Sequence, residues 1–202
     1  IKNNTSISIN VLEVKTGSEI VFEDGTAIWD SLVLDSAGGA SFSWTGGTFK
    51  ANTIVGDIVN AGGTMSPGKS PGTATVEGNY STVSSNSTLE IEISGKESGD
   101  FDRFIVNGHY TVGGGLHLKM TEGFVPQAGD TFDILDFTSL SGQFETIVTE
   151  NFPSNLYLNT KTLYNAGVLS FMGPEAFVDQ DNDGVVALYD DFDTDASTYL
   201  DS

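Results

Sequence analysis

Two stretches of this 202-residue chain place side chains at spacings that could do chemistry. The first is Asp179-Gln180-Asp181-Asn182-Asp183-Gly184-Val185, with Asp190 following. Carboxylates at positions 1, 3 and 5 converge on one cation when a glycine at position 6 lets the chain turn sharply. Position 7 then offers a backbone carbonyl, and an acid at position 12 closes the shell. Hard oxygen donors without Cys or His beside them select Ca2+ over zinc. The expected ligands are therefore Asp179, Asp181, Asp183, the Val185 carbonyl and Asp190. At the twelfth position Asp190 has a shorter arm than the usual Glu and reaches the ion less easily. The alternative is an acidic tail that holds no metal.

The second stretch, Gly63-Thr64-Met65-Ser66-Pro67-Gly68-Lys69-Ser70, fits G-x-x-x-x-G-K-[ST] letter for letter, the loop that cradles nucleotide phosphates. That loop works by turning a strand into a helix whose N-terminal N–H groups face the phosphates. Here Gly72, Thr73, Thr75, Val76 and Gly78 follow, and they cannot sustain a helix. Pro67 also deletes a donor that the cradle needs. The reading is a glycine–proline corner with no nucleotide bound.

Other constellations are sparse, and the chain reads as a non-enzyme. No G-x-S-x-G elbow occurs for a serine hydrolase. His109 and His117 could meet across the Gly113-Gly114-Gly115 corner and share a metal, but they read more simply as surface residues. Glu90 and Glu92 lie on one strand face and could imitate a glycosidase pair; the plainer reading is a solvated outer face. Trp29, Trp44, Tyr80 and Tyr110 suit either a sugar-stacking platform or, more simply, core and turn packing.

The elements that must position these residues are short strands. Apolar residues fall on alternate positions in Ser6–Val11, at Phe42 and Trp44, at Leu89, Ile91 and Ile93, and at Leu116, Leu118 and Met120. Glu90, Glu92, His117 and Lys119 then face the other way, toward solvent. Glycine pairs and the Gly113–Gly115 triplet punctuate the runs as tight corners. This rhythm predicts an all-β chain, either a β-solenoid wound in rungs or, as the alternative, a β-sandwich. Twenty-eight Asp and Glu against eight Lys and Arg give a net charge of −20, which repels nucleic acid and anionic membranes and attracts divalent cations. The chain has no cysteine and no apolar run of the ~20 residues needed to span a bilayer. Composition changes at Met172-Gly173-Pro174; beyond it come nine acidic residues and no Lys or Arg. The expected units are 1–172 and an acidic calcium-binding tail, 173–202.

The segment GGTMSPGKSPGTATVEGNYSTVSSNSTLEIEISG, from Gly62 to Gly95, resembles one common in bacterial autotransporter passengers and related surface proteins. The likeness continues through Asp102–Gly108, Phe124–Phe132 and Leu140–Phe144, so it covers about residues 40–150. It implies a right-handed parallel β-helix ending in a sandwich-like cap, displayed at the cell surface. Asp179 to Ser202 resembles the thrombospondin type 3 repeats of bacterial surface proteins, with Ala187 and Leu188 departing from that pattern. The tail stops where a further repeat is expected to begin, so the natural protein is expected to continue. Together these resemblances imply a structural or adhesive segment of an exported bacterial surface or extracellular-fibre protein. Calcium would stiffen it, and it would associate with itself in fibres or with surface polysaccharide or a host surface. A carbohydrate-binding or polysaccharide-degrading β-helix module is the alternative.

Overall fold

Residues 5–174 are described by the computed structural model, and nearly every ordered segment among them is a strand. In chain order these begin with β1 (Ser6–Val14), β2 (Glu19–Phe22), β3 (Thr26–Leu34), β4 (Ser41–Trp44), β5 (Thr48–Val55) and β6 (Ile58–Asn60). Next come β7 (Thr64–Pro67), β8 (Thr73–Glu77), β9 (Tyr80–Thr82), β10 (Thr88–Ile93), β11 (Arg103–Val112) and β12 (Gly115–Met120). The last are β13 (Thr131–Asp133), β14 (Leu135–Gly142), β15 (Thr146–Glu150), β16 (Tyr157–Asn159) and β17 (Val168–Met172). A single helical turn, α1 (Leu163–Ala166), precedes β17.

Fourteen strands form one sheet in which every pairing is parallel. One row of registered positions runs Ser6, Thr26, Thr48, Thr64, Thr88, Gly115, Thr146. Each step is one pass of chain, from 16 residues between Thr48 and Thr64 to 31 between Gly115 and Thr146. A second stack runs through β2, β4, β6, β9 and the end of β11. Hairpin-joined antiparallel strands, which the sandwich alternative requires, are absent from this sheet. The antiparallel pairing lies in a separate three-stranded sheet, β13-β17-β16.

Several strands are longer than the short runs the sequence suggests, because each turns a corner without ending. In β5, Thr48–Ala51 pairs with β7, while Thr53–Val55 pairs with β8. In β11 the register shifts between Val106 and His109, where Gly108 lies against the preceding pass; a Cβ there would sit 2.4 Å from the Gly78 carbonyl oxygen. A Cβ on Gly63 would lie 1.8 Å from the Trp44 indole nitrogen. Only glycine fits at either place.

All eight residues expected to point inward, Phe42, Trp44, Leu89, Ile91, Ile93, Leu116, Leu118 and Met120, are buried. Because partners in parallel register point the same way, each stacks on its counterpart one pass away, as Leu89 does on Met65 and Leu116. Trp29, Phe42, Trp44 and Phe49 pack edge-on and tilted with centroids 5.0–6.1 Å apart, within the range of favourable ring contacts. Trp29 Nε1 is buried there without a hydrogen-bond partner. Phe101 and Phe124 pack around Phe132 of the smaller sheet and Phe152 packs on its Phe171, within one hydrophobic core shared with the main sheet.

The outward positions differ from expectation in one respect. Glu90, His117 and Lys119 are only half exposed, and Glu92 is buried at 8%. Neighbouring passes cover them, which a single strand's alternation does not reveal. Truncating Ile91, fully buried, to Ala should cost about 2–5 kcal/mol. Glu92→Ala should cost about 1–2 kcal/mol, through loss of its charged hydrogen bonds. Chemical denaturation of both variants checks this, and equal losses would mean that the two faces are misassigned.

Candidate functional site

Parallel strands lie about 4.8 Å apart, so outward side chains in register form rows in which charges from different passes meet. Lys50 is registered with Ser66, Glu90 with His117, and Glu92 with Lys119, which in turn is registered with Glu150. The Ser66 hydroxyl donates to Glu90 at 3.4 Å. His117 stands between two acids, with Nδ1 3.5 Å from Glu90 and Nε2 3.5 Å from Glu150. Lys119 Nζ donates to Glu92 at 3.3 Å, and Lys50 Nζ donates to Ser70 Oγ at 2.9 Å.

Burial pushes the Glu92 carboxyl up, but hydrogen bonds from Ser70 and Lys119 and the charges of Lys50 and Lys119 outweigh it, so the group sits below the ordinary carboxylate range. The same hydrogen bond raises Lys119. A notch of about 240 Å³ opens beside this ribbon, lined by Thr88, Gly115, His117, Thr146 and Val148. It arises because Gly115 contributes no side chain to a row of threonines.

At one end of the ribbon lies Asp102, a fully buried carboxylate. It comes from the excursion between β10 and β11 and turns back onto the glycine–proline corner. Its Oδ1 accepts from the Gly72 N–H at 2.6 Å, and its Oδ2 accepts from the Glu92 N–H at 2.9 Å. Its own N–H donates to the Glu92 carbonyl at 2.9 Å, and the next residue's N–H, from Arg103, donates to the Gly72 carbonyl at 2.9 Å. One side chain therefore joins three segments. Burial raises its pKa to about 7 despite the two backbone donors, with the Glu92 charge adding to the rise and Lys50 opposing it.

The sequence-predicted sites fall differently. Asp179, Asp181, Asp183, Val185 and Asp190, with the whole tail that carries them, lie outside the described residues. Among the described residues no group of three or more His, Cys, Asp or Glu could hold a metal ion. The nucleotide-loop look-alike contains strand β7 and is followed by strand β8, not by a helix, and Lys69 pairs with Asp30 at 3.1 Å. His109 and His117 do not come together. His109 lies in β11 between the hydroxyls of Ser139 and Ser141, each 2.8 Å away, whereas β12, which carries His117, pairs with β10 and β15. Trp29, Trp44, Tyr80 and Tyr110 are buried, which leaves no aromatic platform of those four. Glu90 and Glu92 share a face as expected, but each is engaged by a base from the next pass.

Asp102 was not singled out from the sequence. A sign was present in Asp102-Arg103-Phe104, where a charge directly precedes an alternating strand, but its partners are Gly72, 30 residues away, and Glu92. The chain matches no known family model, no curated protein and no solved structure.

Because the folded pKa of Asp102 lies above its ordinary value near 4, the native state binds its proton more tightly than the unfolded chain. Its contribution to stability is present below about pH 4 and is lost as pH rises through about 7, by roughly 4 kcal/mol at most. Other carboxylates titrate in the same range, so the comparison is with Asp102→Asn. Denaturant unfolding of both proteins from pH 4 to 7.5 should show the wild type losing stability relative to the variant as pH rises. Parallel pH profiles would assign Asp102 an ordinary pKa.

Proposed function

We propose that residues 1–172 are a right-handed parallel β-helix with a sandwich-like C-terminal cap, acting as a structural or adhesive segment of an exported bacterial cell-surface or extracellular-fibre protein. The observation that carries this reading is the run of in-register parallel pairings from β1 to β15. Such stacking converts many small contacts between passes into one stiff body. Right-handed winding follows the strong preference of parallel crossover connections. The small antiparallel sheet is the proposed cap, and the likeness of Gly62–Gly95 to autotransporter passengers supports surface display.

The acidic tail, 173–202, is proposed to order around Ca2+ through Asp179, Asp181, Asp183, Val185 and Asp190. Extracellular modules of this type bind at about 10⁻⁴–10⁻³ M, concentrations met outside cells. Its partners would be further copies of the chain, surface polysaccharide or a host surface. Among the described residues no helix is long and apolar enough to cross a membrane.

The alternative, a carbohydrate-binding or polysaccharide-degrading β-helix, has one observation in its favour, the outward ribbon of Glu90, Glu92, His117 and Lys119 beside a notch. It is the weaker reading because these side chains already satisfy one another, and a general acid or base must be free to reach its substrate.

Electron microscopy with limited proteolysis across a Ca2+ titration tests the leading reading. A body about 30 Å along the stack is expected, from six steps of about 4.8 Å, with tail cleavage suppressed at millimolar Ca2+. Asp181→Ala and Asp183→Ala should abolish that protection, whereas Asp191→Ala, outside the ligand set, should largely retain it. No protection at several millimolar Ca2+ would leave the tail merely acidic, and a body far from about 30 Å along its stack would remove the β-helix.

A further inference from the structure

Three successive passes turn the same corner on a glycine. Gly56, Gly78 and Gly108 follow Val55, Glu77 and Asn107, and they precede Asp57, Asn79 and His109. The passes are stacked there: Asp57 Oδ1 accepts from the Asn79 N–H, and Asn79 Oδ1 accepts from the His109 N–H, both at 2.8 Å. Each glycine touches the pass before it, and a Cβ on Gly78 would lie 2.5 Å from the Gly56 carbonyl oxygen. The position before the glycine is free of that constraint, since a valine, a glutamate and an asparagine all serve, and all three are exposed.

In the third pass that residue can react with the one after it. Asn107-Gly108 is the single Asn-Gly pair in the chain. An asparagine side chain cyclises when the backbone nitrogen of the next residue reaches its Cγ, and glycine, having no Cβ, hinders that approach least. Continuous strand pairing prevents it by fixing the backbone on both sides. Here pairing lapses: the ladder to β8 ends at Val106, the ladder to β9 begins at Tyr110, and the ladder to β14 shifts register between Val106 and His109. The Asn107 amide also has a specific partner, its Nδ2 donating to Glu77 Oε1 at 3.0 Å. Two other exposed asparagines are placed differently. After Asn86 the nitrogen is that of Ser87, which donates to the Ser84 carbonyl at 3.0 Å; after Asn165 it is that of Ala166, which donates to the Thr162 carbonyl at 2.9 Å.

We propose that Asn107 is a self-modification site, cyclising onto the Gly108 nitrogen while Glu77 assists the departure of its amide. The Gly108 nitrogen bonds to Asn107 Cγ and gives up its proton, the Cγ–Nδ2 bond breaks, and Nδ2 leaves as ammonia. The Glu77 carboxylate, already accepting from Nδ2, stabilises the positive charge which that nitrogen gathers as it takes up the proton. Water then opens the imide at either carbonyl, leaving aspartate or isoaspartate at 107. Aspartate sets a second carboxylate beside Glu77 in place of a donor. Isoaspartate adds a methylene to the backbone where Gly108 already lies against Gly78. Both products loosen the corner at which β11 rests on β8 and β9, and the change is irreversible, so the chain carries its own limit on service life.

Incubation of the folded full chain in mildly alkaline buffer, followed by peptide mapping with mass spectrometry, tests this. Asn107 is expected to convert before any other described asparagine, to a mixture of aspartate and isoaspartate. Asn107→Gln, whose longer side chain closes a less favoured ring, should remove the early product. Glu77→Gln should slow conversion several-fold, whereas Glu19→Gln, exposed and four passes away, should leave the rate unchanged. Asn107 left intact, or converting after Asn86 or Asn165, would overturn the site. A rate in Glu77→Gln equal to or above that of the wild type would overturn the part assigned to Glu77.

Discussion

A parallel strand cannot satisfy its own backbone; its N–H and C=O groups must be met by strands on either side, one pass earlier and one pass later. Everything else in this chain follows from meeting that demand in register. Because paired residues point the same way, inward positions must be apolar in every pass, as at Ala27, Phe49, Met65, Leu89 and Leu116. The chain must also bend at corresponding places, or the register of the next pair is lost. Passes of unequal length are accommodated by excursions between strands, which is how the segment bearing Asp102 can leave the sheet after β10 and return at β11.

Corners are where backbone polar groups would otherwise be stranded, and buried polar side chains gather there. Asn60, 1% exposed, accepts from the N–H groups of Gly62 and Gly63 through its side-chain oxygen. Its amide nitrogen donates to the Gly63 carbonyl and the Tyr80 hydroxyl, and Ser87 donates to its carbonyl. Asp102 performs the same service for Gly72 and Glu92. Asn60 is costly to bury and cheap once its bonds are made, whereas the raised pKa of Asp102 shows that two backbone donors leave part of its burial cost unmet; losing the bonds would cost more in either case, so each favours one path of the chain over its near alternatives.

This division explains what the sequence could disclose. The alternation of Leu89, Ile91 and Ile93 is a property of one strand and could be read directly; the same holds for Leu116, Leu118 and Met120. A corner inside a strand is hidden: Val11 continues the alternation of Ile7 and Ile9 in sequence, yet it is 56% exposed, and the inward positions pass to Leu12 and Val14. The burial of Glu92 was illegible because Lys119, 27 residues on, covers it, and the separation of His109 from His117 depended on which pass each strand joins. Asp102 was hidden for the same reason, its partners being set by the path of the chain. The carboxylates from Asp179 to Asp190 have a local spacing and were readable as a motif, but they lie beyond the described residues.

The small sheet is held to the main body by ring contacts and by two backbone bonds to the Gly167 carbonyl. Tension from the carboxyl-terminal side of the described residues must dislodge these contacts together before any parallel ladder is loaded, so yielding from that side would begin with one abrupt release and not strand by strand.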